Sequence, residues 1–499
     1  MNPLKKLAGQ TALYGGSTIL GRLLSYALVP LHTAVFENTA QYGAITKLYA
    51  YVAFLNIIYT YGMETAFFRF VTRHKGDEES MQKVYSSAVT AILATSFIFS
   101  GLIISFSGGV ADLIGYPESS QIIIWLALII FTDAVVAVPY AKLRQENRPL
   151  MFAITKVSSI VLTVLLNLFF LLLLPKIHTY SPVLEAMYYP DMGVGYVFLA
   201  NLIGNAIIPV FLWRSLAEVR LLIDWPVFRQ MLVYGYPILI MGLGGMVNEN
   251  IDKILLEELL PLNFYPDMTP EEALGAYGAC FKISVLMTLA VQAFRYAGEP
   301  FFFSQAENKE APELFAKVMH YFTLLSILIL LGVSVNLELI GSIFLQSPGY
   351  LDALYVVPFL LFAKLLFGVY NNLTIWFKLT DKTKYGTYFS VLGAIITLAG
   401  NIILIPYIGF LGCALASIAC YLIMCIICYL YGQKYYPIPY NFKPSFIYAF
   451  VALLMVYGSF QIELANPLLE NTLNITAVML FVVVAYLVER KRFSYQSIS

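Results

Sequence analysis

Residues 276–304, AYGACFKISVLMTLAVQAFRYAGEPFFFS, decide the fold because an earlier stretch of the chain repeats their pattern. That earlier stretch is residues 41–69, QYGAITKLYAYVAFLNIIYTYGMETAFFR. An ungapped shift of 235 positions brings eight residues onto identical partners: Tyr42, Gly43, Ala44, Lys47, Tyr61, Glu64, Phe67 and Phe68 fall on Tyr277, Gly278, Ala279, Lys282, Tyr296, Glu299, Phe302 and Phe303. The pattern predicts two copies of one structural unit.

The repeat continues beyond these two stretches. At a shift of 234 positions, five more residues meet an identical or similar residue: Gly115, Tyr116, Arg144, Arg148 and Asn167 fall on Gly349, Tyr350, Lys378, Lys382 and Asn401. Each copy holds six apolar stretches, so both copies begin on the same side of a membrane. We therefore predict parallel repeats, related by an axis along the membrane normal.

The composition is that of a polytopic membrane protein. Of the 499 residues, 60% are hydrophobic and 12% are charged, whereas about a quarter of an average soluble protein is charged. The formal net charge is zero, which gives no support for a nucleic-acid partner, since such a partner requires a basic surface.

Fourteen apolar stretches have the roughly 20 residues needed to cross a bilayer. Their approximate bounds are 9–33, 42–67, 84–107, 120–141, 150–174, 194–213, 231–256, 274–298, 318–340, 350–376, 385–406, 409–431, 444–462 and 472–488. We predict an all-α integral membrane protein with about 14 transmembrane helices, of which the last two lie outside the repeats.

The basic residues predict the orientation. If Lys5 and Lys6 lie inside, the inner connections carry 22 of the 30 lysines and arginines, and the outer connections carry only Lys176. Because positive charge is enriched in cytoplasmic loops, this distribution predicts that both termini are cytoplasmic.

The repeats also predict the domain boundaries. Residues 1–213 form an N-terminal lobe and residues 231–431 a C-terminal lobe. Between them, residues 214–230 combine charged and apolar residues at helical spacing, which predicts an interfacial linker helix. Residues 432–499 hold the last two spans and a cytoplasmic tail.

Charged residues within the spans are the main candidates for function, because each costs about 2.5–3.5 kcal/mol to insert into a membrane. The candidates are Arg22, Lys47, Glu64, Asp133, Glu249, Asp252, Lys253, Lys282, Arg295, Glu299 and Lys364. The alternative for each is an internal ion pair or a side chain that reaches back to the interface. We assign Lys156 to the second kind.

Polar residues accompany three of these charges. Thr11, Gly15, Thr18, Arg22 and Tyr26 share one face of the first span, which we expect to face a cavity. Tyr61 shares a helix face with Lys47, as Tyr296 does with Lys282.

Signatures of an enzyme are absent from the sequence. No Gly-x-x-x-x-Gly-Lys-Ser/Thr phosphate loop is present, the four histidines are scattered, and the five cysteines lie in apolar stretches. We expect no enzymatic activity, no cofactor and no metal.

Several short patterns resemble polysaccharide and oligosaccharide transporters of the multidrug/oligosaccharidyl-lipid/polysaccharide exporter superfamily, of the bacterial O-antigen flippase type. They are residues 17–22 (STILGR), Tyr42-Gly with residues 64–69 (ETAFFR), Tyr236-Pro with Asp252-Lys, and Tyr277-Gly with Lys282 and Glu299-Pro-Phe. The resemblance covers nearly the whole chain.

The resemblance implies two six-helix lobes arranged as a V around a central cavity. It also implies transport, by alternating access, of an isoprenoid-pyrophosphate-linked oligosaccharide from the cytoplasmic to the outer leaflet. Such a protein serves cell-surface polysaccharide biosynthesis in the bacterial inner membrane, and its partners are the lipid-linked oligosaccharide and membrane lipid.

On this hypothesis, the candidate residues divide into three roles. Arg22, Lys47, Lys282 and Lys364 hold the pyrophosphate, because cationic groups bind phosphate oxygens well. Tyr26, Tyr61 and Tyr296 stack on sugar rings. Asp133, Asp252 and Glu249 are candidates for coupling to H⁺ or Na⁺.

Two other functions stay open. A cation-coupled antiporter of drugs or organic cations favours an acidic, aromatic cavity, and a glycan polymerase or ligase requires a catalytic constellation. The sequence also leaves open the glycan, the lipid carrier, the coupling ion and the oligomeric state, a monomer included.

Overall fold

The computed structural model describes residues 3–306, 308–462 and 466–496, and the side chains of residues 3–14, 297, 300 and 492–496 lie outside this description. The chain divides into two compact units, Met1–Ile254 and Leu255–Ser499. The lobe boundaries inferred from the repeats stay a prediction.

The first unit is built from helices. They are α1 (Pro3–Tyr26), α2 (Leu28–Val35), α3 (Thr39–Thr60), α4 (Met63–Arg73), α5 (Glu78–Ser105), α6 (Ser107–Leu113), α7 (Ser120–Gln145), α8 (Pro149–Leu168), α9 (Leu174–Ile177), α10 (Pro182–Met187), α11 (Gly195–Phe211), α12 (Trp213–Ala217) and most of α13 (Trp225–Leu259). Three short 3₁₀ turns and one π turn join them: Pro117–Ser119, His178–Tyr180, Pro190–Met192 and Phe169–Leu173.

The second unit is also helical. After the end of α13 come α14 (Pro270–Ser304), α15 (Ala311–Val335), α16 (Leu337–Phe344), a 3₁₀ segment (Pro348–Val356), α17 (Val357–Leu373), α18 (Ile375–Leu379), α19 (Lys384–Ile408), α20 (Phe410–Tyr435), α21 (Lys443–Ser459) and α22 (Pro467–Gln496).

The helix starts follow from local chemistry. The Asp77 carboxylate accepts a hydrogen bond of 3.1 Å from the Ser80 amide and so caps α5. Hydrogen bonds from the Ser80 hydroxyl and from the Ser80 amide lower the pKa of the Asp77 carboxyl. At α14, Thr269 and Glu272 form a reciprocal capping box, with Pro270 at the first helical position.

The membrane-spanning character of the fold is confirmed. Among the described residues, eleven helical stretches are long and apolar enough to cross a membrane, and α11 and α21 are shorter apolar helices. The second predicted span corresponds to α3 and the start of α4, which are not among the eleven. The count of fourteen therefore stays a prediction.

The linker between α12 and α13 was predicted to be one helix, and this prediction is wrong. Residues 218–224 are not helical and run beside α5, whose hydroxyl groups bind their backbone. Ser86 Oγ accepts from the Arg220 amide at 3.0 Å, and Ser87 Oγ accepts from the Asp224 amide at 2.9 Å. These bonds replace the intrahelical bonds that the segment lacks.

A break in the second span sets the position of α4. Tyr61 (φ 31°) and Gly62 (φ 77°) adopt left-handed conformations between α3 and α4. A Cβ atom on Gly62 would lie 2.8 Å from the carbonyl oxygen of Gly235 in α13, and one on Gly235 would lie 2.9 Å from the Tyr61 carbonyl oxygen. The two backbones therefore touch directly. In the second repeat, the equivalent Tyr296 lies inside the continuous α14.

The two repeats share one ion pair. Arg144 in α7 pairs with Glu64 in α4, and Lys378 in α18 pairs with Glu299 in α14 at 2.6 Å. Since Glu64 matches Glu299 and Arg144 matches Lys378 in the sequence repeat, both units use the same contact. The ion pair joins the second predicted span of each repeat to the end of the fourth predicted span.

The close approach at Gly235 predicts opposite effects for two substitutions in α13. We expect Gly235→Ala to destabilise the protein by about 1–3 kcal/mol, because the added methyl group overlaps the Tyr61 carbonyl. Gly245→Ala is the matched control, since a Cβ there meets nothing within 4 Å and alanine favours a helix by about 0.5–1 kcal/mol. Thermal unfolding in detergent measures both, and equal shifts would contradict the contact.

The repeated ion pair predicts a coupling energy that an exposed pair lacks. In a double-mutant cycle of Glu64→Gln and Arg144→Gln, we expect a coupling of about 1 kcal/mol or more, because both side chains are partly shielded from solvent. The exposed pair Glu79–Lys83 serves as the control and should give at most about 0.5 kcal/mol. Similar values in the two cycles would mean that the repeated contact adds no stability.

Candidate functional site

Lys156 of α8 is the common electrostatic neighbour of four charged side chains of the first unit, two of which, Glu64 and Arg144, pair with each other. Lys156 is partly buried and lies within electrostatic range of two acidic and two other basic groups. We call this set the first-unit charge cluster: Arg22, Glu64, Asp133, Arg144 and Lys156. Its three basic and two acidic side chains leave an excess of one positive charge.

The assignment of Lys156 as a residue that reaches back to the interface stays a prediction, and its side chain lies beside two aromatic rings. Its Nζ lies 5.6 Å from the ring centre of Phe152 and 6.0 Å from that of Tyr140. These distances permit cation–π attraction. A signal was present in the sequence, since Asp133 and Lys156 are opposite charges within adjacent spans.

Arg22 is exposed within the structure described and lies beside another predicted site residue. Its guanidinium is within hydrogen-bonding range of the Tyr26 hydroxyl, and the Glu249 carboxylate of α13 is close enough to Tyr26 to interact electrostatically. The structure thus brings together three of the predicted residues. Thr11, on the same predicted face of α1, lies outside the described side chains.

Asp133 meets an asparagine that the sequence analysis did not single out. Asn205 Nδ2 of α11 donates to Asp133 Oδ1 at 3.1 Å. One turn earlier, Asn201 Nδ2 donates to the Tyr49 hydroxyl at 2.6 Å. Two asparagines four residues apart in an apolar helix were a usable signal, because they share one face. They give α11 a polar face toward α7 and α3.

Two of the predicted pyrophosphate ligands are buried inside their own units. The Lys47 side chain is fully buried, with Nζ 5.4 Å from the Tyr116 ring centre. Lys364 is 5% exposed, with Nζ 5.1 Å from the Phe281 ring centre. Both ammonium groups therefore lie near aromatic rings, where cation–π attraction offsets part of their desolvation.

The repeat-related lysines differ in their surroundings. Lys282 is partly buried, whereas its equivalent Lys47 is fully buried. The tyrosines differ as well: Tyr61 ends α3, while Tyr296 lies within α14 with the Arg295 guanidinium 5.9 Å from its ring centre. A common substrate for the two lysines stays a prediction.

The last two coupling candidates lie together in α13. Lys253 Nζ is 3.2 Å from Asp252 Oδ1 and donates to the backbone carbonyl of Glu249 at 2.7 Å. Asp252 and Lys253 are both buried, so each charge compensates the other locally. Within the described part of the chain, no group of three or more His, Cys, Asp or Glu residues is placed to hold a metal ion.

Solved structures of transporters share this fold at low sequence identity. A structure of the lipid II flippase MurJ in an inward closed conformation matches with a TM-score of 0.71 and 14% identity, covering 95% of this chain and 98% of that chain. An inward-facing multidrug resistance MATE family transporter of the MOP superfamily matches with a TM-score of 0.60 and 14% identity, covering 83% and 94%. A MOP superfamily transporter from Pyrococcus furiosus, described as having a binding pocket of reverse polarity, gives 0.58 and 13%, covering 87% and 98%.

Family models give the assignment. No curated protein sequence matches the chain. A model described as MatE matches residues 263–403, and the model described as Polysaccharide biosynthesis protein matches residues 7–303. Since the second match covers more than half of the 499 residues, the chain belongs to the polysaccharide biosynthesis protein family.

Proposed function

We propose that this membrane transporter is a flippase for an isoprenoid-pyrophosphate-linked oligosaccharide. It moves its substrate from the cytoplasmic to the outer leaflet of the bacterial inner membrane by alternating access, with both termini in the cytoplasm. The observation that carries the proposal is the first-unit charge cluster, whose excess positive charge suits an anionic substrate.

The chemistry of a pyrophosphate favours the exposed end of this cluster. Arg22 offers a planar fork of N–H donors to phosphate oxygens, and the adjacent Tyr26 offers a hydroxyl donor and a ring face for a sugar. Lys156 raises the local positive potential from inside the unit. Lys47, Lys282 and Lys364 stay proposed ligands, and Tyr61 and Tyr296 stay proposed sugar contacts.

Coupling to H⁺ or Na⁺ requires a carboxylate whose charge affects substrate binding. Asp133 meets this requirement, because it accepts from Asn205 and interacts electrostatically with Lys156. Glu249 lies near Tyr26 and is a second candidate. Asp252 is the third, with its charge compensated by Lys253.

A second candidate function is the cation-coupled export of organic cations or drugs. The match of the MatE model to residues 263–403 and the similarity to multidrug transporters favour it. An organic cation, however, requires an acidic excess near its site, and the charge cluster has the opposite sign. The two functions therefore predict opposite responses to changes of charge.

Removal of Arg22 or Lys364 should abolish glycan export at unchanged protein abundance. We expect Arg22→Ala and Lys364→Ala to accumulate lipid-linked glycan in the cytoplasmic leaflet, because each loses a phosphate ligand. A leaflet-resolved assay in proteoliposomes measures this, and immunoblotting measures abundance. Lys83→Ala, which removes an exposed positive charge, is the control, and Arg22→Lys should retain part of the activity. Normal export by both alanine variants would refute the assignment.

Single changes of charge in the cluster should shift affinity in opposite directions. Lys156→Gln removes the excess positive charge, so we expect an isoprenoid pyrophosphate to bind the purified protein about tenfold more weakly, which is about 1.4 kcal/mol. Asp133→Asn raises the excess to two, so binding should strengthen. Lys156→Arg keeps the charge and should bind like the parent.

A test with an organic cation separates the two candidate functions. If binding depends on the charge of the cluster alone, Lys156→Gln should strengthen the binding of the cation tetraphenylphosphonium. Asp133→Asn should weaken it. Strong tetraphenylphosphonium binding by the parent protein, with no binding of the pyrophosphate, would favour the drug antiporter over the flippase.

A further inference from the structure

Lysines and tyrosines gather in the second unit at the point where α18 ends, α19 begins and α20 ends. The two helices of this corner, α19 and α20, are candidate membrane spans, so the corner lies at a membrane–water boundary. We call this surface the tyrosine–lysine patch and define it as Lys382, Lys384, Tyr385, Tyr388, Tyr431, Lys434 and Tyr435.

A buried tryptophan, Trp376, packs against Tyr435 of the patch. Trp376 is 1% exposed, donates from Nε1 to Cys428 Sγ at 3.4 Å and stacks on Tyr435 with ring centres 5.5 Å apart. On Tyr435, Lys382 Nζ lies 3.4 Å from the ring centre, and the Tyr385 and Tyr435 hydroxyl oxygens are 3.0 Å apart. Tyr435, Tyr385 and Lys382 are therefore held against the core, while Lys384 and Lys434 are exposed around them.

The charge of the patch is positive. Lys382, Lys384 and Lys434 all lie within electrostatic range of Tyr435. Asp381 is the one acidic residue in the connection between α18 and α19, so the three lysines leave an excess of two positive charges. The nearby Lys378 already pairs with Glu299 and adds nothing to this excess.

The hydrogen-bond donors suit a phosphodiester. When two hydroxyl groups bond to each other, one donates and the other keeps its proton for an outside acceptor. The Tyr385–Tyr435 pair thus offers one O–H donor beside the lysine ammonium groups. A phosphodiester carries one negative charge and two free oxygens, which ammonium groups bind through short charge-assisted hydrogen bonds.

An apolar stripe on α19 begins at the patch and favours a lipid over free phosphate. Side chains with the spacing of one helix face are exposed along the span: Tyr388 (60%), Val391 (37%), Ile395 (60%), Leu398 (40%) and Ile402 (49%). An acyl chain whose headgroup lies in the patch would extend along this stripe. Inorganic phosphate has no apolar part that could contact this stripe.

We propose that the tyrosine–lysine patch is a binding site for the phosphodiester headgroup of an anionic phospholipid, whose acyl chains lie along the exposed stripe of α19. Under the predicted orientation, this lipid belongs to the cytoplasmic leaflet, whose anionic surface attracts basic residues. The site is separate from the charge cluster of the first unit and does not depend on the substrate that the protein carries.

Trp376 provides a local reporter for this lipid. The full chain contains four tryptophans, so Trp125→Phe, Trp213→Phe and Trp225→Phe together leave Trp376 as the single fluorophore. The protein is reconstituted in vesicles, and lipids with a nitroxide on the acyl chain near the headgroup quench Trp376 where they bind. The measured quantity is the affinity for nitroxide-labelled phosphatidylglycerol relative to labelled phosphatidylcholine.

We expect a preference of about tenfold for phosphatidylglycerol in this single-tryptophan parent, because the lysines attract its net negative headgroup and phosphatidylcholine carries no net charge. It should fall to near unity in Lys382→Ala/Lys384→Ala/Lys434→Ala. Lys384→Ala/Lys434→Ala removes only exposed side chains, leaves the contact of Lys382 with Tyr435 and should lose most of the preference. Lys309→Ala/Lys317→Ala/Lys491→Ala removes the same charge elsewhere and should retain it.

Three outcomes would overturn the proposal. The first is a parent without preference, and the second is an unchanged preference in both patch variants. The third is displacement of the labelled lipid by inorganic phosphate beyond the effect of chloride at equal ionic strength, which would show a site for free phosphate.

Discussion

A charge within a membrane helix persists only where other groups of the protein compensate it, and this constraint accounts for much of the structure. Glu64 and Glu299 are compensated by ion pairs with Arg144 and Lys378. Asp252 is compensated by its neighbour Lys253, and Lys47 and Lys364 lie near aromatic rings. Arg22 differs, because it is an exposed arginine on a membrane-spanning stretch. Its position suits binding better than packing.

The internal repeat predicted more of the structure than the single residues did. Because Glu64 and Arg144 have counterparts at Glu299 and Lys378, the sequence contained both partners of an ion pair that forms in each unit. The repeat did not show that these residues touch, since sequence spacing leaves the rotation of one helix about its axis relative to another undefined. For the same reason, the sequence analysis missed the approach of Lys156 to Asp133 and of Asn205 to Asp133. The linker after α12 failed as a helix prediction because the hydroxyl groups that bind it belong to α5, far away in sequence.

The two repeats share an ion pair but differ in backbone and in surroundings at other matched positions. The second span breaks at Gly62, where a left-handed backbone and direct contact with Gly235 exclude a side chain. Its counterpart α14 continues without a break. Lys47 and Lys282, which match in the sequence repeat, differ in burial. A role found for a residue in one repeat therefore does not transfer to its counterpart without independent evidence.

The fold alone does not identify the substrate. At 12–14% identity, the structure of the chain matches both a lipid II flippase and MATE transporters. The sign of the charge in the interior is a more selective property. Within the first-unit charge cluster the formal excess depends on five side chains, so one neutralising substitution removes it and a second reverses its sign. A nearly balanced cluster also keeps the cost of burying charge low, since Arg144 pairs with Glu64 and Lys156 interacts with Asp133 and Glu64. Under the proposed function, the near-balance that makes the cluster compatible with a membrane also means that a small excess of charge favours an anionic over a cationic substrate.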